Sequence, residues 1–397
     1  MYTINNVNIF SNSIEGQALS QMFAAMNNSW VVKGALMADS HCGYSLPIGG
    51  VAVTKDVIVP SWVGYDIGCG VGAINTFLKL EEIHDFKQDI YNMIVSTIPL
   101  GVGIYRDKAV MSVRQIHDNF RLECSDFMMT LLDQRAMQNL GSLGSGNHFL
   151  EIGVDSNSYV WIIVHSGSRG VGHACATHYM NIAQPLTGSK EGSYPLEVDS
   201  VEGKNYVKDL AFMLEFALAN RAILLNDVLN CIHKVIYKEK ERPYVYRTGS
   251  PVNMRSCDID ERVSLFINRN HNHAEYKDGV WIHRKGATHA DKDMYGVIPG
   301  NMRDGSFIVK GKGSEDSICS SSHGAGRVLG RKQAKRELDP LEFIETMKNV
   351  VCGVNKDPGC LLDEAPAAYK DIFTVMDEQK DLVDVVHHIR PLINVKR

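Results

Sequence analysis

The sequence has no long apolar run: nowhere do about 18 apolar residues follow one another, so a membrane-spanning helix is not expected. It has no basic excess either. The formal net charge is −5, which excludes a global positive field that gathers nucleic acid and confines any such contact to local patches. Its nine cysteines are odd in number and scattered, so no disulfide framework is expected; they read as thiols of a reducing compartment, buried or metal-bound. Met1 to Phe10 lacks a basic stretch followed by an apolar one. On these absences a cytoplasmic protein is the expectation. There is also no internal repeat, no low-complexity tract and no G-x-x-x-x-G-K-[ST] phosphate loop.

What is present is a 397-residue chain with an ordinary apolar fraction of 44%, enough for a large core. Short β-rich runs appear at Val51–Val53, Val57–Val59 and Ala73–Thr76. Helical spacing appears over Leu80–Ile98 and Ser112–Met137. Phe149–Ile152 and Tyr159–His165 read as buried strands around a turn at Asp155–Ser158. The longest helical signal covers residues 206–237; its apolar stripe of Leu210, Met213, Leu214, Ala217, Leu224, Val228 and Ile232 is interrupted once, at Arg221. Residues 187–204 before it read as a polar loop or lid. Strands and Gly-rich loops return over Val280–Gly330, and Asp371–Gln379 reads as a short helix. For the final Leu392–Lys396, periodicity does not separate helix from strand. Without regular βαβ alternation, the expected class is α+β, in one domain over residues 1–397.

Five segments carry chemistry. Gly64-Tyr65-Asp66-Ile67-Gly68-Cys69-Gly70 sets a carboxylate and a thiol on one Gly-rich turn, where a thiolate can bind one divalent ion or bridge two. A buried Cys beside a turn-forming Asp is the plainer reading of that spacing. Gly144-Ser145-Gly146-Asn147-His148 runs into the strand Phe149-Leu150-Glu151, so His148 and Phe149 face opposite ways. Asn147 suits a phosphate or metal-bound oxygen, and Glu151 a base or ribose. His165-Ser166-Gly167-Ser168-Arg169 ends an apolar strand with a histidine, small residues that free backbone N–H groups, and an arginine for phosphate. His173 and His178, further on, read as structural. Asn270-His271-Asn272-His273 adds nitrogen ligands, of which His271 gains meaning as a partner of the other histidines. Ser320-Ser321-Ser322-His323-Gly324-Ala325-Gly326-Arg327 embeds a histidine in glycine and serine, a setting for a neutral imidazole that attacks phosphorus. One Asp, one Cys and three His form two overlapping three-ligand sets if Cys69 bridges; the donor types suit Mn, Fe, Co or Zn without choosing among them.

In their order these segments resemble the RtcB family of RNA ligases, and the resemblance runs from Met37-Ala38-Asp39-Ser40-His41 to Val395-Lys396. It implies an α+β fold of the family's own, with a deep central cleft and a dinuclear metal site. It further implies two Mn²⁺ ions bridged by Cys69, with Asp66 and His148 on one and His165 and His271 on the other. His323 would be the catalytic residue that takes GMP from GTP. The implied nucleotide contacts are Asn147, His148, Phe149, Leu150, Glu151, His271, Asn272, Pro299, Gly300, Asn301, Met302, Ser306, His323, Gly324, Ala325, Gly326, Tyr369 and Lys396. The implied reaction joins an RNA 3′-phosphate or 2′,3′-cyclic phosphate to a 5′-hydroxyl through an activated RNA(3′)pp(5′)G end, in tRNA splicing or RNA repair. The partners implied are broken RNAs such as tRNA halves or cleaved rRNA; the need for an activating protein and the oligomeric state stay open. Phosphate contacts are expected at His283-Arg284-Lys285, Arg327, Arg331-Lys332, Lys335-Arg336, Arg390 and Lys396-Arg397.

The chain departs from the family pattern at Ala38, Ser40, Cys42 and Ser45, at Asn301 where a small hydroxyl residue is usual, and at Arg303-Asp304. With nucleophile and ligands intact, these departures suggest a diverged RNA-repair paralogue. A metal-dependent phosphohydrolase acting on cyclic phosphates, and a catalytically silent RNA-binding factor, are the competing readings.

Overall fold

A computed structural model describes residues 1–120, 122–132, 134–189, 191–238 and 266–397. Two sheets organise the chain. The first has six strands in the order Tyr2–Ile4, Val7–Ile9, Val31–His41, Ile48–Thr54, Val280–Lys285 and Asn272–Lys277. The second has seven, in the order Phe266–Asn270, Gly70–Lys79, Tyr159–Ser166, Phe149–Val154, Val383–Val395, Ser306–Gly311 and Tyr295–Pro299. All pairings in these sheets are antiparallel except Val7–Ile9 with Val31–His41. This mixture of helices with largely antiparallel sheets is the α+β class that the sequence implied.

The long helix runs over Val201–Tyr237. It starts earlier than its apolar stripe because Ser200 caps it, the side chain accepting from Gly203 N at 3.0 Å. The polar loop expected over 187–204 is correspondingly shorter. Leu196–Glu197 is a strand paired with Val57–Ile58, and Lys190 lies outside the described residues. One half of the helix packs Phe212, Met213 and Phe216 against Tyr179, Val171 and Ile67. The other half packs Leu224, Val228 and Ile232 against Ile74, Ile162 and Val164 of the second sheet. Each such fully buried side chain contributes about 1.5–3 kcal/mol.

Other helical readings are subdivided. Leu80–Ile98 resolves into Leu80–Ile83, a 3₁₀ turn His84–Phe86, and Lys87–Thr97. Ser112–Met137 resolves into Val113–Phe120, Asp126–Leu131 and Gln134–Met137, with a new N-cap at Ser125 forcing one of the breaks; Arg121 and Asp133 lie outside the described residues. The ambiguous C-terminal stretch is strand, the last part of Val383–Val395. All eight cysteines among the described residues are free thiols, and among the described residues no helix is long and apolar enough to cross a membrane.

Candidate active site

The chain leaves the second sheet at Asn270 and enters the first at Asn272, so His271 stands at the crossover between them. Backbone bonds stitch this crossover to the Asp66–Cys69 turn: His271 N donates to Cys69 O at 2.7 Å, and Gly68 N donates to Asn272 O at 2.8 Å. The Asn272 side chain reinforces the same joint, donating to Asp66 O at 3.3 Å and accepting from Gly286 N at 2.9 Å. His165 arrives on Tyr159–Ser166, an interior strand of the second sheet, opposite Val71 and Phe149. His148 enters from the loop before that neighbouring strand. Gly167 must be glycine, since a Cβ there would collide with the Asp66 carboxylate.

These strands bring the five expected metal ligands together. Cys69 Sγ lies 3.4 Å from His148 Nε2 and 3.2 Å from His165 Nε2. His165 Nε2 lies 3.3 Å from His271 Nε2, and His148 Nε2 2.9 Å from Asp66 Oδ2. Leu143 O lies 3.0 Å from His148 Nδ1, which leaves Nε2 directed at the cluster. One donor atom from each of Cys69, His148 and His165 lies within 4.8 Å of the others. Burial, then the positive charge of neighbouring side chains, holds His165 and His271 well below the usual imidazole value. Burial also lowers His148, although Asp66 pulls it up. The imidazoles are therefore neutral lone-pair donors. Burial pushes Asp66 up, but His148 and Arg169 outweigh it and the carboxyl stays ionised, its Oδ1 buried without a hydrogen-bond partner. Burial and then the Asp66 charge push the Cys69 thiol well above its ordinary value. A buried thiol among nitrogen lone pairs beside an orphaned carboxylate oxygen has the donor chemistry of a divalent cation site, since a cation is what releases the thiol proton.

His323 flanks this cluster, its ring centroid 4.7 Å from that of His271. It follows the strand Ser320–Ser322 and is held by Asp39, a fully buried carboxylate on Val31–His41. Asp39 Oδ2 accepts from the backbone N–H groups of His323 and Gly324, each at 3.1 Å, and lies 2.6 Å from His323 Nδ1. Burial raises Asp39, but His323 and His41 outweigh it, and the carboxyl sits below its usual value. With Nδ1 facing Asp39, Nε2 is the ring nitrogen left with a free lone pair. Gly326 adopts φ +75° directly against the Asp39 backbone, where a side chain has no room.

A cavity of about 340 Å³ opens beside His323 and His165. Of the residues expected to touch nucleotide, Asn147, Phe149, Glu151, Pro299, Gly300, Asn301, Met302, His323, Gly324, Ala325, Gly326, Tyr369 and Lys396 line it. Leu150 packs into the core, Ser306 is buried beside Glu151, and Asn272 is engaged with backbone. His148 borders a second cavity of about 300 Å³ on the other side, with Tyr65, Arg169 and His173, as the alternation with Phe149 requires. His173 stacks on Tyr65, and His178 on Phe127.

Burial pushes the Glu151 carboxyl up to about 8. In the lining of the same cavity, Glu364 binds Lys396 Nζ at 2.5 Å and also contacts Arg331 and Tyr369. Asn301 is occupied by its own loop: its side chain donates to Asp304 Oδ2 at 2.7 Å and accepts from the N–H of Arg303 and of Asp304.

Three contributors escaped the sequence reading of the site. Asp39 sat in a quoted stretch without a role, Glu364 carried no motif, and Arg221 registered only as a flaw in an apolar stripe. One expectation is corrected: His283, Arg284 and Lys285 are buried, with 0%, 1% and 6% exposure, so they are not surface phosphate contacts. Their strand lies inside the first sheet, between Ile48–Thr54 and Asn272–Lys277.

Comparison with known proteins shows the family. The family model described as tRNA-splicing ligase RtcB matches residues 21–397. The chain is 32% identical to the RNA-splicing ligase RtcB of Escherichia coli (strain K12), with 96% of this chain and 95% of the relative covered. It is 30% identical to the tRNA-splicing ligase RtcB of Nanoarchaeum equitans, covering 91% and 87%, and 28% identical to that of Thermococcus kodakarensis, covering 90% and 86%. A family model matching residues 21–397 and a relative 32% identical over nearly the whole of both chains leave one conclusion: the chain belongs to the RtcB family.

Proposed function

We propose that this protein is a GTP- and Mn²⁺-dependent RNA ligase that joins 3′-phosphate or 2′,3′-cyclic phosphate ends to 5′-hydroxyl ends. The observation that carries this reading is the position of His323, between a five-donor cluster and a cavity large enough for a nucleotide. Asp66, Cys69, His148, His165 and His271 would hold the ions, which supply Lewis acidity to phosphoryl oxygens. Asp39 orients the His323 ring and stabilises the positive charge that develops on it. His323 Nε2 attacks the α-phosphorus of GTP; the N–P bond forms as the bond to the β-phosphate bridging oxygen breaks, and pyrophosphate leaves. The RNA 3′-phosphate oxygen then displaces His323 from the guanylate, and the 5′-hydroxyl displaces GMP. Glu151 and Lys396, which line the cavity, would meet the polar edge of a base, and the glycines after His323 would let phosphate approach backbone.

Incubation with Mn²⁺ and α-labelled GTP tests this reading. The protein is expected to acquire an acid-labile label that His323→Ala lacks, and to seal RNA with the stated ends. An active, metal-loaded preparation that opens cyclic phosphates but takes no label would leave the hydrolase in its place.

A further inference from the structure

We propose, on the reading that the cavity beside His323 takes GTP, that Asn394 is a further base-reading residue of that cavity, its side-chain carbonyl accepting a hydrogen bond from the 2-amino group of guanine. Asn394 lies near the end of the strand Val383–Val395, directly opposite Glu151 on Phe149–Val154. Side chains directly opposite one another stand on the same face of a sheet, and residues two apart along a strand share a face. Phe149 and Glu151 therefore lie on the face of Asn394, and Lys396, two residues on, continues it. All four line the cavity. Lys396 Nζ stands 5.5 Å from the centre of the Phe149 ring, as this register requires. Two paired strands thus build one wall from a ring, a carboxyl, an amide and an ammonium.

Two atoms of this wall point to the ligand. Asn394 is 2% exposed and its Oδ1 has no hydrogen-bond partner; Glu151 is 1% exposed and its Oε1 has none either. Unpaired buried acceptors are rare and costly. Once Glu151 is ionised it has no proton of its own to share, so both oxygens need donors from the ligand. Lys396 is the opposite, a group that only donates, held in place by Glu364 at 2.5 Å. The wall offers one donor and two acceptors. Guanine presents the complement: O6 accepts, while N1–H and the 2-amino group donate. Adenine presents an amino donor in place of O6 and has no 2-amino group, so it sets donor against Lys396 and leaves Asn394 unmet. The 2-amino group carries two hydrogens. One can join N1–H on the Glu151 carboxylate, and the other is left for Asn394.

Inosine triphosphate is the probe, because its base keeps O6 and N1–H and lacks the 2-amino group. Calorimetric titration in Mn²⁺ of the full chain carrying His323→Ala, which transfers no nucleotide, compares it with GTP. This reference chain is expected to bind GTP about tenfold more tightly than inosine triphosphate. Adding Asn394→Leu, close to the amide in size but without its polar atoms, is expected to weaken GTP about tenfold and to leave inosine triphosphate within about twofold. Should that variant fail to fold, Asn394→Ala takes its place with the same expectation. A purely structural role would weaken both nucleotides alike. A reference chain that does not tell the two apart, or an Asn394 variant that keeps the preference or loses both nucleotides equally, would overturn the proposal and leave the ligase reading standing. A reference chain that binds no GTP overturns both. A chain with His323 in place that binds GTP and takes no label overturns the ligase reading alone.

Discussion

At the scale of single residues, Asp39 and Glu151 make the sharpest claims. Asp39 never meets the substrate in the proposed reaction; it positions His323 and balances its charge. Asp39→Asn keeps the shape, and the amide can still accept the two backbone bonds, but loses the charge. Labelling by GTP is therefore expected to slow about a hundredfold, with little change in GTP affinity. Pre-steady-state labelling at several GTP concentrations separates the two effects. Glu151 keeps its proton in the folded chain up to a pH of about 8, whereas the unfolded chain releases it near 4.5. The stability this group contributes is full below the unfolded value and is lost as pH rises through the folded one. Pairing with a donor edge of guanine requires the carboxylate, so GTP binding at neutral pH is expected to expel a proton and to tighten as pH rises toward about 8. Calorimetry in buffers of different ionisation heat detects that proton, and Glu151→Gln should remove it.

At the scale of elements, the long helix acts through its one charged interruption. Arg221 is fully buried, donating to Gly68 O and Ser166 O, each at 2.8 Å, and to the side chains of Asn268 and Asn270, each at 2.6 Å. Those acceptors adjoin Cys69, His165 and His271, so one guanidinium ties three ligand-bearing segments to one helix. Burial lowers its pKa to about 10, which leaves it charged at any physiological pH. Neighbouring Asn220 adds bonds to Gly141, Ser142, Ser166 and Gly167. Arg221→Leu strands these acceptors and is expected to cost about 3–5 kcal/mol in denaturant unfolding, with loss of bound metal. Arg221→Lys should recover only part, because an ammonium lacks the fork that reaches four acceptors.

This helix also shows what the sequence disclosed. Its apolar stripe was legible because burial leaves a 3.6-residue period, and the interruption at Arg221 was visible for the same reason. The meaning of the interruption was not, because its partners lie up to 153 residues away. The five clustered donors were legible as candidates because they lie in segments rich in glycine, serine or asparagine. Asp39 gave no such signal; its neighbours are ordinary strand residues, and its partner His323 is 284 residues on. The motif His283-Arg284-Lys285 misled for the converse reason, since composition suggests solvent and only the pairing of its strand on both sides reveals burial.

At the scale of the molecule, the cluster joins two sheets. Asp66, Cys69 and His165 belong to the second sheet or its approach, and His271 stands where the chain crosses to the first. An ion held by all of them, as proposed, would couple the two sheets and stabilise the folded state over the unfolded by mass action. Adding Mn²⁺ to chelator-treated protein is expected to raise the melting temperature by a few degrees, and Cys69→Ala should abolish the rise. Differential scanning calorimetry reads both. The negative net charge belongs at this scale too. Without a global field, RNA affinity rests on local cations and should fall steeply with salt, the slope of log affinity against log salt giving the number of phosphates engaged.

The crossover at His271 bears on how the protein comes to be folded. Its ring meets that of His165 only after chain segments 106 residues apart have been laid side by side, and Cys69 adds a separation larger still. A topology so dominated by distant pairings is slow to assemble. Before those segments meet, the five donors are not assembled, so an ion held by all of them would not nucleate the fold. For the ion binding proposed above, metal uptake is therefore expected to come last, with kinetics that report the arrival of finished protein.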